Sequence, residues 1–193
     1  MVQFASEPAP HTRQVKLIIL DRDGVINYDS AQFIKSPEEW RPIPGSLEAI
    51  ARLNHAGFRV VVATNQSGLG RRLFDTATLI SIHEKLHKAL AQVGGRIDAV
   101  FFCPHAADAA CDCRKPKPGM LVDIGRRFGV DLIGVPCVGD SLRDLQAAEA
   151  CGAQPILVLT GKGEKTLRDG KFPTNTIIFP DLAFAVTALL AGD

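Results

Sequence analysis

The chain has 193 residues, 46% of them hydrophobic and 22% charged, with a formal net charge of +1. That is long enough to bury a full core in one domain, and it gives no electrostatic reason to bind nucleic acid or an anionic membrane. No apolar run is long enough to span a bilayer.

Residues 1–14 carry no apolar signal-peptide core and read as a flexible polar arm. The expected compartment is therefore the cytoplasm, and residues 15–193 are expected to form a single domain. Leu17-Ile18-Ile19-Leu20 reads as a strand buried on both faces of a parallel sheet. A helix starts after Pro44-Gly45-Ser46 and runs to about Ala56, with Leu47, Ile50 and Leu53 on one face. Phe58–Ala63 is a second buried strand, and Thr76 to about Val93 a second helix with Leu79, Ile82, Leu86 and Leu90 at helical spacing. Ala99–Phe102, Val135–Val138 and Pro155–Leu159 supply three more strands. Helices are expected at Gly119–Phe128, Leu142–Ala150 and Leu182–Leu190, and a polar surface loop at Gly161–Thr176. This alternation predicts an α/β fold: a doubly wound parallel sheet with helices on both faces. The short stretch between Gly24 and Thr64 leaves no room for a large cap domain.

Ligands bind open α/β sheets at the carboxyl ends of the strands, and four ends here are polar. The first offers Asp21-Arg22-Asp23-Gly24 and the second Thr64-Asn65-Gln66-Ser67-Gly68. The fourth offers Gly139-Asp140-Ser141 with Asp144 one turn on, and Arg114-Lys115-Pro116 lies between the third and fourth strands. Acid, hydroxyl, ammonium and acid converging on one edge suit phosphoryl transfer. A carboxylate such as Asp21 can attack phosphorus to form an acyl phosphate. Mg²⁺, a hard ion that takes oxygen ligands, offsets the charge of the substrate dianion. Asp21 and Asp140 are its expected side-chain ligands, with a carbonyl at Asp23. Thr64 and Lys115 hold the transferring oxygens, and Asp23 carries the proton to the leaving group and from water. Arg22 is expected to point away to a structural partner, and Lys117 to be a solvated surface charge.

Three of the five cysteines cluster. Cys103-Pro104-His105 and Cys111-Asp112-Cys113 give three thiolates and an imidazole within eleven residues, a set suited to a closed, structural Zn²⁺ site. Its expected task is to stiffen the loop that carries Arg114 and Lys115. Cys137 and Cys151 read as small buried hydrophobes. A zinc-ribbon nucleic-acid module is disfavoured by the missing basic patch and missing paired C-x-x-C knuckles. A non-catalytic phospho-ligand module has no need of both Asp21 and Asp23.

In order, D-x-D-G at Asp21–Gly24, Thr64, Lys115 before proline, and G-D-x-x-x-D at Gly139–Asp144 resemble the four motifs of the haloacid dehalogenase superfamily. The resemblance implies that Asp21 is the nucleophile, Asp23 the general acid/base and Asp140 a magnesium ligand. The zinc loop narrows it to the D-glycero-D-manno-heptose 1,7-bisphosphate phosphatases and the histidinol-phosphate phosphatases. Thr64–Gly68, Cys113–Leu121 and Leu159–Gly163 are closer to the first group, whereas the five-residue spacer between His105 and Cys111 is closer to the second. The heptose resemblance implies release of the 7-phosphate on the route to lipopolysaccharide heptose. It also implies a small phosphorylated sugar as the partner, bound by Arg114, by Asp29, Ser30, Ala31 and Gln32, and by Asn65, Gln66 and Ser67. Asn65 and Gln66 are alternatively turn residues bonding their own backbone. Trp40 is expected to pack on the first helix, and a monomer is the default state.

Overall fold

In a computed structural model, residues 15–192 of the chain are described. The arm expected at residues 1–14 lies outside them. Six strands form one parallel sheet: β1 (Leu17–Leu20), β2 (Arg59–Asn65), β3 (Ala99–Cys103), β4 (Pro136–Gly139), β5 (Gln154–Val158) and β6 (Ile177–Phe179), in the order β3-β2-β1-β4-β5-β6. The helices are α1 (Ser46–His55), α2 (Ser67–Gly70), α3 (Thr76–Gln92), α4 (Gly119–Phe128), α5 (Leu142–Ala150), α6 (Gly163–Asp169) and α7 (Leu182–Ala191).

Strand alternation divides the core into two layers. Ile18 and Leu20 of β1, with Val60 and Val62 of β2, face Ile50 and Leu53 of α1, Ile82, Leu86 and Leu90 of α3, and Leu182 and Val186 of α7. Leu17, Ile19 and Val61 point the other way, onto Met120, Leu121 and Ile124 of α4 and Ala147 and Ala148 of α5. All four β1 residues are buried, as a strand covered on both faces must be. Trp40 joins the first layer.

Three elements depart from the sequence reading: the polar stretch after β2 closes into the single turn of α2, and two more lie towards the carboxyl end. The stretch expected as a loop at Gly161–Thr176 contains α6, and β6 follows it at the sheet edge. Neither carries a strong pattern: α6 has seven residues with no apolar stripe, and β6 has three with Ile177 and Ile178 exposed. Cys151 is only partly buried, while Cys137 is buried as expected.

The strand order reverses direction between β1 and β4, whose carboxyl ends therefore open a crevice. The backbone N–H of Asp21 donates to the Val138 carbonyl at 2.9 Å, so the residue after β1 is sewn to β4 at that point. Between β1 and α1 lies a folded loop with one 3-10 turn at Pro37–Glu39, pinned by Tyr28 N–H to Arg41 O at 3.0 Å and Ile43 N–H to Ile26 O at 2.9 Å.

Candidate active site

The crevice is a cavity of about 210 Å³ lined by Asp21, Asp23, Asp29, Ser30, Ala31, Thr64, Asn65, Gln66, Ser67, Arg114, Lys115 and Asp140, together with Phe33, Ile34, Arg143 and Lys162. Residues from each of the four polar segments singled out in the sequence thus meet in one place. Gln32 is the exception: it lines a neighbouring cleft with Tyr28, Lys35 and Glu38. Its chain turns away there because the Ser30 hydroxyl accepts the Gln32 N–H at 3.1 Å.

Lys115 organises the acidic side. Its ammonium, 3% exposed, lies 3.1 Å from Asp21 Oδ1 and 2.6 Å from Asp144 Oδ1, and donates to the Ala63 carbonyl at 2.6 Å. Burial alone would lower its pKa, but Asp144 and Asp21 more than compensate and push it above the usual lysine value. Asn65 holds the segment by both ends of its amide, donating to Lys115 O at 3.0 Å and accepting from Lys115 N–H at 3.2 Å. Its amide is thus spent on another segment's backbone, not on its own turn.

Asp21 Oδ1 also accepts the Arg22 N–H at 2.8 Å, so the protein's donors converge on that one oxygen. Asp140 sits between two glycines in left-handed conformation, Gly24 (φ 89°) and Gly161 (φ 58°). A Cβ on either would come within 2.0 or 2.2 Å of Asp140 Oδ2. That oxygen accepts the Lys162 N–H at 2.8 Å. One carboxylate oxygen from each of Asp21, Asp140 and Asp144 lies within 4.8 Å of the others. Burial raises Asp21 to about 6, with Lys115 opposing and Asp144 adding, and raises Asp140 to about 8, with Asp144 and Asp21 adding. The cluster is short of positive charge, which is what a divalent cation supplies. Asp144 has little left to give such an ion. Its Oδ2 accepts from the Ser141 backbone N–H at 3.1 Å and from the Ser141 hydroxyl in a capping box. Asp21 and Asp140 are the carboxylates that remain.

Asp23 stands outside that cluster. Arg22 is fully buried and lines no part of the cavity, as expected, but it does not leave its neighbour. Its guanidinium turns back onto its neighbour, Nε to Asp23 Oδ1 at 3.0 Å and Nη2 to Oδ2 at 2.9 Å. Beyond the end of β1 the alternation of faces no longer applies, so adjacent side chains can meet. The remaining Nη1 lies 3.1 Å from His83 Nε2. Asn27 donates to Asp23 Oδ1 at 2.8 Å and Gln66 to Oδ2 at 3.1 Å. Burial pushes the Asp23 carboxyl up, but Arg22 and these donors hold it below the usual range. Gln66 also donates to Thr64 Oγ1 at 2.9 Å, which leaves the Thr64 hydroxyl proton free for an oxyanion.

In the cysteine loop, His105 Nδ1 lies 3.5 Å from Cys103 Sγ and 3.4 Å from Cys113 Sγ, and Cys103 Sγ lies 3.8 Å from Cys111 Sγ. Tetrahedral zinc with Zn–S of about 2.3 Å and Zn–N of about 2.0 Å has S···S edges of about 3.8 Å and S···N edges of about 3.5 Å. The four residues match that frame and can hold zinc. Burial drives the Cys113 thiol up to about 12, with Cys103 and Cys111 adding, a crowding that a cation relieves. Lys117 is exposed and pairs with Asp112 at 3.1 Å, away from the cavity.

A HAD-hydrolase-like family model matches residues 112–185, and a polynucleotide kinase 3 phosphatase model matches residues 16–141. A D-glycero-β-D-manno-heptose-1,7-bisphosphate 7-phosphatase of Bordetella bronchiseptica is 62% identical over 91% of this chain and 98% of its own. The chain belongs to this heptose bisphosphate phosphatase family. A Pseudomonas aeruginosa family member of the same name is 56% identical over 90% of this chain and 97% of its own. The crystal structure of the D,D-heptose 1,7-bisphosphate phosphatase of B. bronchiseptica, complexed with magnesium and phosphate, superposes with a TM-score of 0.92 at 61% identity, covering 93% of this chain and 100% of that one.

Two cations of this heptose bisphosphate phosphatase family member's cavity escape a reading by motif. Arg143 stands inside G-D-x-x-x-D, one residue before Asp144, where a charge on a helix reads as a solvated face. Lys162 follows β5, in the Leu159–Gly163 stretch that carried the resemblance without a site role being read into it, and its ammonium pairs with Asp29.

Proposed function

We propose that the chain is a magnesium-dependent phosphatase that removes the 7-phosphate of D-glycero-β-D-manno-heptose 1,7-bisphosphate and leaves heptose 1-phosphate for lipopolysaccharide precursors. The observation that carries this reading is the buried Lys115 between Asp21 and Asp144, next to Asp140 at the β1/β4 crevice. Asp21 is the group that attacks phosphorus, because its Oδ1 is held by Lys115 and the Arg22 N–H while Oδ2 has no protein donor among the described residues. The Thr64 hydroxyl orients the phosphoryl oxygens, and Lys115, held by Asp21 and Asp144, sets positive charge beside them. Asp21 and Asp140, with the Asp23 carbonyl, would hold magnesium, which neutralises charge on the phosphoryl group. Asp23 rests as an ionised carboxylate. A phosphate dianion entering beside it raises its affinity for a proton, so it arrives as the acid that serves the leaving oxygen. Once the sugar has gone it is the base for the water that cleaves the aspartyl phosphate. Zinc on Cys103, His105, Cys111 and Cys113 would fix the loop carrying Arg114. Arg114 contacts the sugar or its second phosphate, with Asp29, Ser30, Ala31 and Ser67 on the cavity wall.

The same reading takes the enzyme as a cytoplasmic monomer acting on a sugar phosphate, not on a polynucleotide or a membrane. A net charge of +1 gives no general pull towards polyanions, and among the described residues no helix is long and apolar enough to cross a membrane. The decisive comparison is kcat/KM on the heptose bisphosphate and on histidinol phosphate. A clear preference for the bisphosphate is expected, and a preference for histidinol phosphate overturns the substrate while leaving the chemistry.

A further inference from the structure

We propose that Arg143 grips the substrate's second phosphate, the one that is not transferred, and sets the enzyme's preference for a bisphosphate over a monophosphate. This rests on the heptose bisphosphate reading above. Four cationic side chains line the cavity: Arg114, Lys115, Arg143 and Lys162. Both lysines are committed, Lys115 to Asp21 and Asp144, and Lys162 to Asp29. Among the described residues, neither arginine has a carboxylate within ion-pair distance.

Arg143 makes no ion pair among the described residues, although its charge favours the ionised form of Asp144 beside it. It occupies the first turn of α5, the end of a helix dipole that favours anions, so its charge does not serve the helix. The positions three and four residues on are Gln146 and Ala147, which offer it no acidic partner. It lies near enough to Lys162 for the two like charges to oppose each other. A half-buried guanidinium beside another cation is stable where an anion comes between them.

The side chain is nonetheless fixed. Arg143 Nε donates to Ser141 Oγ at 3.2 Å, and that hydroxyl donates onward to Asp144, the partner of Lys115. One hydrogen-bonded chain therefore ties Arg143 to the lysine at the reacting end, while among the described residues neither Nη group has a hydrogen-bond partner. Arg114 reaches the same cavity from the cysteine loop, its Nη1 donating to His105 O at 3.3 Å. Charge matches as well. The transferred phosphate is met by Lys115 and the metal, and a second dianionic phosphate is balanced by two guanidinium forks of the geometry that phosphate favours.

The test is steady-state kinetics of the magnesium-loaded enzyme and its R143A, R143Q and R143K variants on heptose 1,7-bisphosphate and on p-nitrophenyl phosphate, which has no second phosphate. For R143A and R143Q, kcat/KM on the bisphosphate falls about 10- to 100-fold further than on the aryl ester, the scale of one charge-assisted contact. The extra loss lies in KM, and R143K recovers part of it. Equal losses on the two substrates, a loss confined to kcat, or no selective loss in either neutral variant overturns the proposal. Failure of the functional reading shows separately, as a wild-type enzyme with no preference for the bisphosphate over the aryl ester.

Discussion

Replacing Asp144 with alanine removes the partner that keeps Lys115 charged and buried. Both side chains are almost fully inside, at 2% and 3% exposure, with 2.6 Å between Nζ and Oδ1. Breaking a buried pair by deleting one member costs about 3–5 kcal/mol, because the other charge is left behind. Lys115 keeps Asp21 at 3.1 Å, which places the loss at the lower end, about 3 kcal/mol. Alanine also removes the capping box at Ser141, worth about 1 kcal/mol more. The sum, about 4 kcal/mol, corresponds to a fall of about 8–16 °C in the melting midpoint of a chain this size. D144N keeps an acceptor for the cap and loses only the charge, about 3 kcal/mol. The control is D29A, whose partner Lys162 is 47% exposed and whose loss costs about 1 kcal/mol or less. Urea and thermal unfolding of the zinc-loaded, magnesium-free protein measure all three. A D144A variant within about 1 kcal/mol of wild type, or a D29A variant as damaged as D144A, refutes the reasoning.

K115A lowers kcat by about 10²- to 10³-fold, the scale of one lost oxyanion partner, whereas K117A stays within about twofold because Lys117 pairs outside the cavity; steady-state rates separate the two. His83 is held neutral, its pKa pressed down to about 4 by burial, then by Arg22 and His87, with Asp23 opposing. Its unfolded form takes up a proton near pH 6.5, so this contribution to stability is complete above that and is lost as pH falls towards 4, about 3 kcal/mol in all. H83Q flattens the profile of urea midpoints over that window. Metal analysis finds one zinc per chain, and its chelation raises amide exchange across residues 103–117 while β1 stays protected. Unchanged exchange after chelation counts against a stiffening role for the loop.

The centre of this fold was legible because its signals are redundant. The run Leu17–Leu20 is apolar, β-branched in part and followed at once by Asp21, and four strand ends repeat that message. The cysteine spacing needed no fold at all, since its four ligands fall within eleven residues. What escaped lies where side-chain direction decides. Arg22 had to be seen to turn back on Asp23, and Arg143 to point into the crevice. Gln32 leaves the cavity because one hydroxyl turns its backbone. Asn65 and Gln66 line the cavity as expected, yet their amides serve Lys115, Asp23 and Thr64, partners that only the fold brings near. The edge elements α6 and β6 were invisible for a different reason: short and half-exposed, they owe their form to packing and not to pattern.

The central claim is that Asp21 takes the phosphoryl group. Acid-quenching the enzyme during turnover of heptose 1,7-bisphosphate, reducing the acyl phosphate with borohydride and sequencing the peptide across β1 tests it directly. The account expects homoserine at position 21 and no turnover by D21N. Reduction at another carboxylate, or phosphate release that survives D21N, contradicts it.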